Sequence, residues 1–481
     1  MKQKSLTKNT IVYTLKIMSS ALFPLITFPY ISRVLLAEGV GVYNFSNSVI
    51  SYFLLLAGLG ISTYAIREGA KIRDNRQEFM EFAGHIYSIN IIATGVSLFL
   101  LILCICFVPI FSDYRMILII LSVSIPMTTI GTEWVLSIYE DFIFITIRSI
   151  VFQFISLILM FVFIRKPSDV WKYAVICVFS SVGANILNYN YVKKYFNHIA
   201  KFDKNIVKHM KPILVLFASS LASQIYVNAD IIMIGIMQGK YATGLYSASA
   251  KIYNIVRLLL TAVITIVLPR LAYLKKQDKE SEYVNLLSKT FNGYASIIIP
   301  AGIGLLLVSK SAILLLAGTE YVEAVASLQL LSLALIVSTM GSFVANTILI
   351  VYGQESKILM ATCIGCLLNI VFNFYFIKRF GFTGAAIATL ISEVIVFTIQ
   401  ALWARRCVAI KNLLSNLFKI FIGIFVIILG EIMVMTMELP FFLDMIVTVI
   451  LSGGMYILTM LICKQELFVE YFNKIRRRVK T

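Results

Sequence analysis

Apolar runs of about twenty residues, each long enough to cross a bilayer, recur from one end of this chain to the other. No other feature restricts its fold so severely. Fourteen runs can be marked, at 10–32, 41–65, 83–109, 115–138, 143–164, 169–192, 212–237, 243–269, 288–316, 322–351, 355–377, 382–404, 412–436 and 440–462. Backbone in hydrocarbon must satisfy its own hydrogen bonds, which leaves only helices and closed barrels. Barrel strands alternate apolar and polar residues over about ten positions. These runs do not alternate, so the expectation is an all-α integral membrane protein with about 14 transmembrane helices. Composition agrees: 59% of the 481 residues are hydrophobic, against roughly 45–50% in a soluble chain.

The formal net charge is +18, from 42 Lys and Arg against 24 Asp and Glu. In a soluble protein such an excess suggests nucleic acid; here its placement assigns it to topology. With the N-terminus in the cytoplasm, that side holds Lys8, Arg67, Lys71, Arg73, Arg76, the basic runs 193–211 and 270–289, Arg405, Arg406 and the tail from Lys464 to Lys480. The opposite side holds Arg33, Arg115, Arg165, Lys166, Lys172, Lys240, Lys378 and Arg379. An even helix count then puts both termini in the cytoplasm, and no nucleic-acid partner is expected. The first apolar run is long and lacks a small-residue cleavage site, so it is expected to stay as a helix.

Chemistry by cofactor or nucleophile finds no foothold. Of the seven cysteines, Cys104, Cys106, Cys177, Cys363 and Cys366 lie within apolar runs, and "CIGC" there reads as helix packing. His85, His198 and His209 form no metal-ligand spacing, and no phosphate loop, nucleophile elbow or zinc signature is present. No enzyme, metal or cofactor is expected.

One phrase is written twice. "GVYNFSNSVIS" (Gly41 to Ser51) and "GLYSASAKIYN" (Gly244 to Asn254) stand 244 − 41 = 203 residues apart, at the starts of the second and eighth apolar runs. Six crossings separate them, an even offset that preserves orientation. The simplest arrangement is two parallel six-helix bundles related by an axis along the membrane normal. The expected organisation is an N-terminal bundle at 1–192, a basic cytoplasmic linker at 193–211, a C-terminal bundle at 212–404, and two additional helices with a basic tail at 405–481.

Several stretches carry a family resemblance. "SRVLLAEGVGVYNFSNS" (32–48), "STYAIREGAKIRDNRQEF" (62–79), "GTEWVLSIYEDFIFITIRSI" (131–150), "ADIIMIGIMQGKYATGLYSASAKIYN" (229–254) and "GFTGAAIATLISE" (381–393) resemble the polysaccharide-transport flippases, within the superfamily that also holds multidrug/toxin extruders and the lipid II flippase. The resemblance implies two bundles around a central cavity and alternating access. It implies as cargo an undecaprenyl-pyrophosphate-linked oligosaccharide repeat unit, carried across the bacterial cytoplasmic (inner) membrane for O-antigen, capsule or exopolysaccharide assembly. Membrane lipids, a glycan polymerase and export machinery are the implied partners. A drug extruder, a lipid II flippase and a membrane glycan polymerase stand as alternatives. An extruder of cationic drugs would favour acidic cavity residues, and a polymerase would need a sizeable outer loop, which this chain lacks.

A pyrophosphate crossing about 30 Å of hydrocarbon needs a polar, positively charged shelter, while a polyprenyl tail is already at home in lipid. Ionised side chains inside spans are expensive enough to mark such a place. Lys251, Asn254 and Arg257 follow at spacing three in the eighth run, and Asn44, Asn47, Ser48 and Ser51 form the matching polar stripe in the second. These read as substrate contacts, or for the serines and asparagines equally as glue between helices. Lys16 and Arg148 are further candidate headgroup contacts, near run ends from which long side chains reach the interface. Asp230 and Glu133 read either as coupling-ion sites or as counter-ions to a base such as Arg148 or Lys251. Pro24, Pro29, Pro126 and Pro300 mark places where helices are expected to bend.

Overall fold

The structure, a computed structural model, describes residues 6–437 and 439–479. Every regular element among them is helical. In chain order the α-helices are α1 (Leu6–Gly58), α2 (Ile61–Ile72), α3 (Arg76–Phe107), α4 (Arg115–Ser122), α5 (Ser124–Gly131), α6 (Glu133–Ile138), α7 (Phe142–Phe163), α8 (Val170–Val178), α9 (Asn185–Val192), α10 (Val207–Met237) and α11 (Lys240–Lys276). There follow α12 (Glu280–Leu307), α13 (Ser309–Leu316), α14 (Val325–Val344), α15 (Glu355–Phe380), α16 (Phe382–Cys407), α17 (Leu413–Met435), α18 (Phe441–Ile462) and α19 (Glu466–Val479).

Thirteen segments among the described residues are long and apolar enough to cross a membrane, against the fourteen expected. The difference lies at the start: Thr14–Ile72 runs for 59 residues, about three times the length one crossing needs. Within it, the runs at 10–32 and 41–65 are joined in α1, which is interrupted by one residue, Leu36, at φ 60° and ψ 177°. Neither Pro24 nor Pro29 makes that break; both lie inside continuous helix. Pro126 sits just past the division of α4 from α5 at Val123, while Pro300 lies within α12. Phe99, Phe154, Val215, Ile266, Val371 and Phe421 are each more than half exposed on spanning helices. So much exposed apolar surface calls for lipid as the solvent.

The chain forms two compact units, Met1–Gly244 and Leu245–Thr481. The division falls at Gly244, and the basic stretch 193–211 is docked within the first unit. The Lys201 N–H donates to the Gly84 carbonyl at 3.3 Å, Ser88 Oγ donates to the Lys201 carbonyl at 2.8 Å, and Asp203 Oδ2 bonds His85 Nε2 at 2.9 Å. α10 follows with the Tyr64 hydroxyl bonded to His209 Nδ1 at 2.8 Å. One core of this unit gathers Phe79, Phe82, Ile86, Trp134 and Phe196; another gathers Phe45, Leu101, Tyr114 and Leu118. The second unit is built on Tyr283, Leu287, Tyr294, Phe343 and Leu349.

The repeated phrase has a physical counterpart. A Cβ at Gly41 would overlap the carbonyl oxygen of Lys240, and a Cβ at Gly244 would overlap that of Ala37. The two contacts are images of each other, since 240 − 37 = 203 and 244 − 41 = 203. Glycine is required at both places because two backbones touch there. A second correspondence runs at constant offset: Tyr87, Gly95 and Tyr114 match Tyr294, Gly302 and Tyr321, since 294 − 87, 302 − 95 and 321 − 114 all equal 207. Tyr114 and Tyr321 are both buried in short 3₁₀ turns that precede a spanning helix.

Candidate functional site

In the first unit, charged side chains gather where α1, α6, α7 and α9 approach. Lys16 Nζ on α1 donates to Glu133 Oε1 at 2.7 Å, and Arg148 on α7 donates to Glu133 Oε2 at 2.5 Å. The guanidinium also donates to Asn185 Oδ1 on α9 at 3.3 Å, and Asn185 Nδ2 donates to the Met127 carbonyl at 3.0 Å. The Arg148 side chain is 4% exposed, that of Lys16 21% and that of Glu133 40%. A guanidinium so buried is tolerated only with a counter-charge. Glu133 supplies it, and two cations against one anion leave a formal charge of +1 (2 − 1). Arg148 Nε is buried with no partner among the described residues.

Each residue of "GTEW" has a task in building this cluster. Gly131 has no room for a Cβ, which would overlap Asn185. Thr132, at φ 40°, makes the left-handed turn that ends α5 and opens α6. Glu133 takes the two cations, and Trp134 is buried in the core. Arg148 and Glu133 were legible as a candidate pair; Asn185 was not anticipated. Nor was the polar seam beside it, where Ser19 Oγ donates to Gln153 Oε1 at 2.7 Å and Gln153 Nε2 donates to Ser20 Oγ at 3.1 Å. Its signal was available: Thr146 and Gln153 stand a heptad apart on α7, and Thr146 Oγ1 also donates to α1, at the Val12 carbonyl.

The far end of α6 is fixed to basic segments. Arg73 donates to Glu140 Oε1 at 2.7 Å and to the Ile138 carbonyl at 2.9 Å. Asp141 Oδ2 accepts from Lys194 Nζ at 2.8 Å, from the Tyr195 hydroxyl at 2.8 Å and from the Tyr191 hydroxyl at 3.1 Å. The Lys194 ammonium lies 3.5 Å from the Tyr191 ring centroid and 4.5 Å from that of Tyr195, a cation–π arrangement. Despite burial, the hydrogen bonds from Lys194 to Asp141 and the tyrosines raise its pKa above the usual lysine range. His198 rests against Tyr189 and Phe196 and bonds Thr132 Oγ1 at 3.1 Å; burial, with Lys193 nearby, pulls its pKa down to about 4. Asp203 is held below the usual carboxylate range, first by its hydrogen bond to His85.

The remaining sequence candidates are placed as follows. On α1, Asn47 is exposed and Asn44 and Ser51 are half-buried. Ser48 is buried at 2% exposure, and Ser51 Oγ donates to its carbonyl at 2.6 Å, so Ser48 does not share the open stripe. Asp230 on α10 is buried. In the second unit, Asn254 is exposed and Lys251 and Arg257 are half-buried on α11. The Arg257 guanidinium lies 5.9 Å from the Tyr253 ring centroid, and the Tyr253 hydroxyl is 3.0 Å from Ser338 Oγ.

Thirteen segments among the described residues, long and apolar enough to cross a membrane and one of them carrying the buried, counter-charged Arg148, define a multi-pass membrane protein. The fold is shared with the lipid II flippase MurJ in its inward closed conformation, at a TM-score of 0.73 and 17% identity over 94% of this chain and 99% of that one. The chain belongs to the polysaccharide biosynthesis protein family, whose model matches residues 6–275. It is 22% identical to a protein of Escherichia coli (strain K12) named as an O-antigen transporter, over 84% of this chain and 97% of that one. It is 28% identical to the capsular polysaccharide biosynthesis protein CapF of Staphylococcus aureus, over 78% of this chain and 93% of that one.

Proposed function

We propose that the protein is a flippase that moves undecaprenyl-pyrophosphate-linked oligosaccharide repeat units from the cytoplasmic to the outer leaflet of the bacterial cytoplasmic membrane by alternating access, for O-antigen, capsule or exopolysaccharide assembly. The observation that carries this reading, beside the family, is the cluster of half-buried Lys16 and buried Arg148 around Glu133. It is a positively charged place inside a membrane-spanning unit, with one guanidinium N–H unmatched among the described residues. A phosphate oxygen is the natural acceptor for such a donor. Lys251, Asn254 and Arg257 supply a second polar stripe, and Asp230 and Glu133 serve as counter-charges. Asn44, Asn47 and Ser51 offer hydrogen bonds to sugar hydroxyls.

The lipid tail needs no polar shelter. A cavity of about 370 Å³ in the second unit, lined by Val256, Pro300, Gly304, Ile427, Ser452 and Tyr456, is apolar enough to take a hydrocarbon chain. The distribution of Lys and Arg supports fourteen crossings, two of them within Thr14–Ile72, with both termini in the cytoplasm. An inside-negative potential favours outward movement of anionic cargo by about 2.3 kcal/mol per charge per 100 mV. Exchange with a glycan polymerase and export machinery would follow on the outer side.

Deletion of the gene, followed by analysis of lipid-linked intermediates and surface polysaccharide, tests the reading. Complete undecaprenyl-linked repeat units should accumulate on the inner leaflet while surface glycan is lost. Repeat units reaching the outer leaflet unpolymerised would make the protein a polymerase, and unchanged glycan with altered drug tolerance would make it an extruder.

A further inference from the structure

The helix α19 has a different character from every spanning helix. It begins directly after α18, across a turn in which Lys464 adopts φ 51°. Gln465, buried, fixes its start: Gln465 Oε1 accepts from the Phe468 N–H at 3.2 Å, and Gln465 Nε2 donates to Asn416 Oδ1 at 3.3 Å. The first two turns are docked on the protein. Lys289 Nζ lies 2.5 Å from Glu470 and 3.7 Å from Glu466, Leu467 packs where Gly293 has no side chain, and Phe468 meets the Tyr456 ring at 6.1 Å between centroids.

Beyond that point the chemistry reverses. Tyr471 and Phe472 are 67% and 51% exposed, and Lys474 and Arg476 are exposed beside them. The sequence from Lys474 to Lys480 holds five basic residues, Lys474, Arg476, Arg477, Arg478 and Lys480, and no acid, whereas Glu466 to Asn473 holds two acids and no base. The charge therefore changes from −2 to +5 along one short stretch. The last residue of α18, Ile462, is 80% exposed, an apolar side chain at the end of a candidate span that marks the edge of the hydrocarbon. Tyr471 and Phe472 follow within about ten residues, and exposed aromatic rings settle between hydrocarbon and headgroups.

We propose that the distal half of α19 is an interfacial anchor that seats Tyr471 and Phe472 in the adjoining leaflet and holds anionic phospholipid headgroups with Lys474, Arg476 and the basic sequence that follows them. Exposed aromatic side chains next to a basic cluster are the two signals that bind a helix to an anionic surface, one by burial and one by attraction. The proximal half cannot serve the same end, since its acids are committed to Lys289. This role is independent of which cargo the spanning helices carry.

Hydrogen exchange of the full-length protein in nanodiscs tests it without a probe residue. Discs of phosphatidylcholine alone are compared with discs in which one third of the lipid is phosphatidylglycerol. Amides 471–479 should exchange at least about fivefold more slowly with the anionic lipid, the scale of one basic residue held at a charged surface. That protection should shrink at high salt and in the variant Lys474→Gln/Arg476→Gln/Arg477→Gln/Arg478→Gln, while amides in the docked turns stay unchanged. Equal exchange in both lipids would overturn the anionic-lipid assignment, as would protection that survives salt and neutralisation, which would mean that protein contacts cover this face.

Discussion

Glu133 is the one carboxylate among the described residues bonded to both Lys16 and Arg148, and removing it should cost more than removing either base. At an effective dielectric constant of about 20, opposite charges about 4 Å apart attract by about 4 kcal/mol, and desolvation consumes part of that. Breaking a buried pair from one side costs about 3–5 kcal/mol. Glu133 is 40% exposed, so water screens part of the loss, and Glu133→Gln should destabilise by about 2–3 kcal/mol. Arg148→Gln leaves Glu133 bonded to Lys16 and should cost about 1–2 kcal/mol. The double variant should then cost at least about 1 kcal/mol less than the sum of the singles, the mark of a direct pair. The assay is loss of the monodisperse peak on heating, for a detergent-solubilised fluorescent fusion, with the single, single and double variants heated in parallel. Additive single effects would refute the counter-ion role and leave Glu133 as an independent site.

Lys251→Gln/Arg257→Gln should abolish surface glycan while folded protein remains in the membrane; normal export would remove both residues from the substrate path. Gly41→Ala and Gly244→Ala should each lower the yield of monodisperse protein severely, because each new Cβ meets a backbone carbonyl that has no room to shift; wild-type yield would deny the close crossing. Cysteines placed within 272–286 should react with impermeant reagent only from the cytoplasmic side, and labelling from outside would break the proposed topology. The depressed pKa of His198, about 4 against 6.5, means that its contribution to stability is complete above pH 6.5 and is lost as pH falls toward 4. Thermal stability of His198→Gln should therefore vary less with pH across that window than wild type does, and parallel curves would show that His198 titrates freely.

What was legible in the sequence is what depends on local pattern. The thirteen candidate spans among the described residues follow from continuous apolar runs, and the paired phrase pointed to Gly41 and Gly244, whose reciprocal contact its spacing reproduces. The tightness of the connection between the first two runs was hidden because it is a single residue, Leu36, in a stretch where neither Gly nor Pro announces a turn. The docking of the basic stretch was hidden for another reason. A loop dense in lysine looks like a solvated linker, but Gly84, His85 and Ser88 hold it through bonds that span more than a hundred residues of sequence. Lys16 and Glu133 are 117 residues apart, and no periodicity connects them.

The short helix α6 joins these levels. It is bracketed by two left-handed residues, Thr132 at φ 40° and Glu140 at φ 55°, so its six residues are set off from α5 and α7 by sharp turns. A helix of that length spans about 9 Å. At one end Glu133 accepts from Lys16 and Arg148; at the other, Glu140 and Asp141 grip Arg73 and Lys194 in the basic segments. The run "EWVLSIYED" therefore ties α1 and α7, through Lys16 and Arg148, to the basic segments that carry Arg73 and Lys194, by hydrogen bonds at both ends of one short helix.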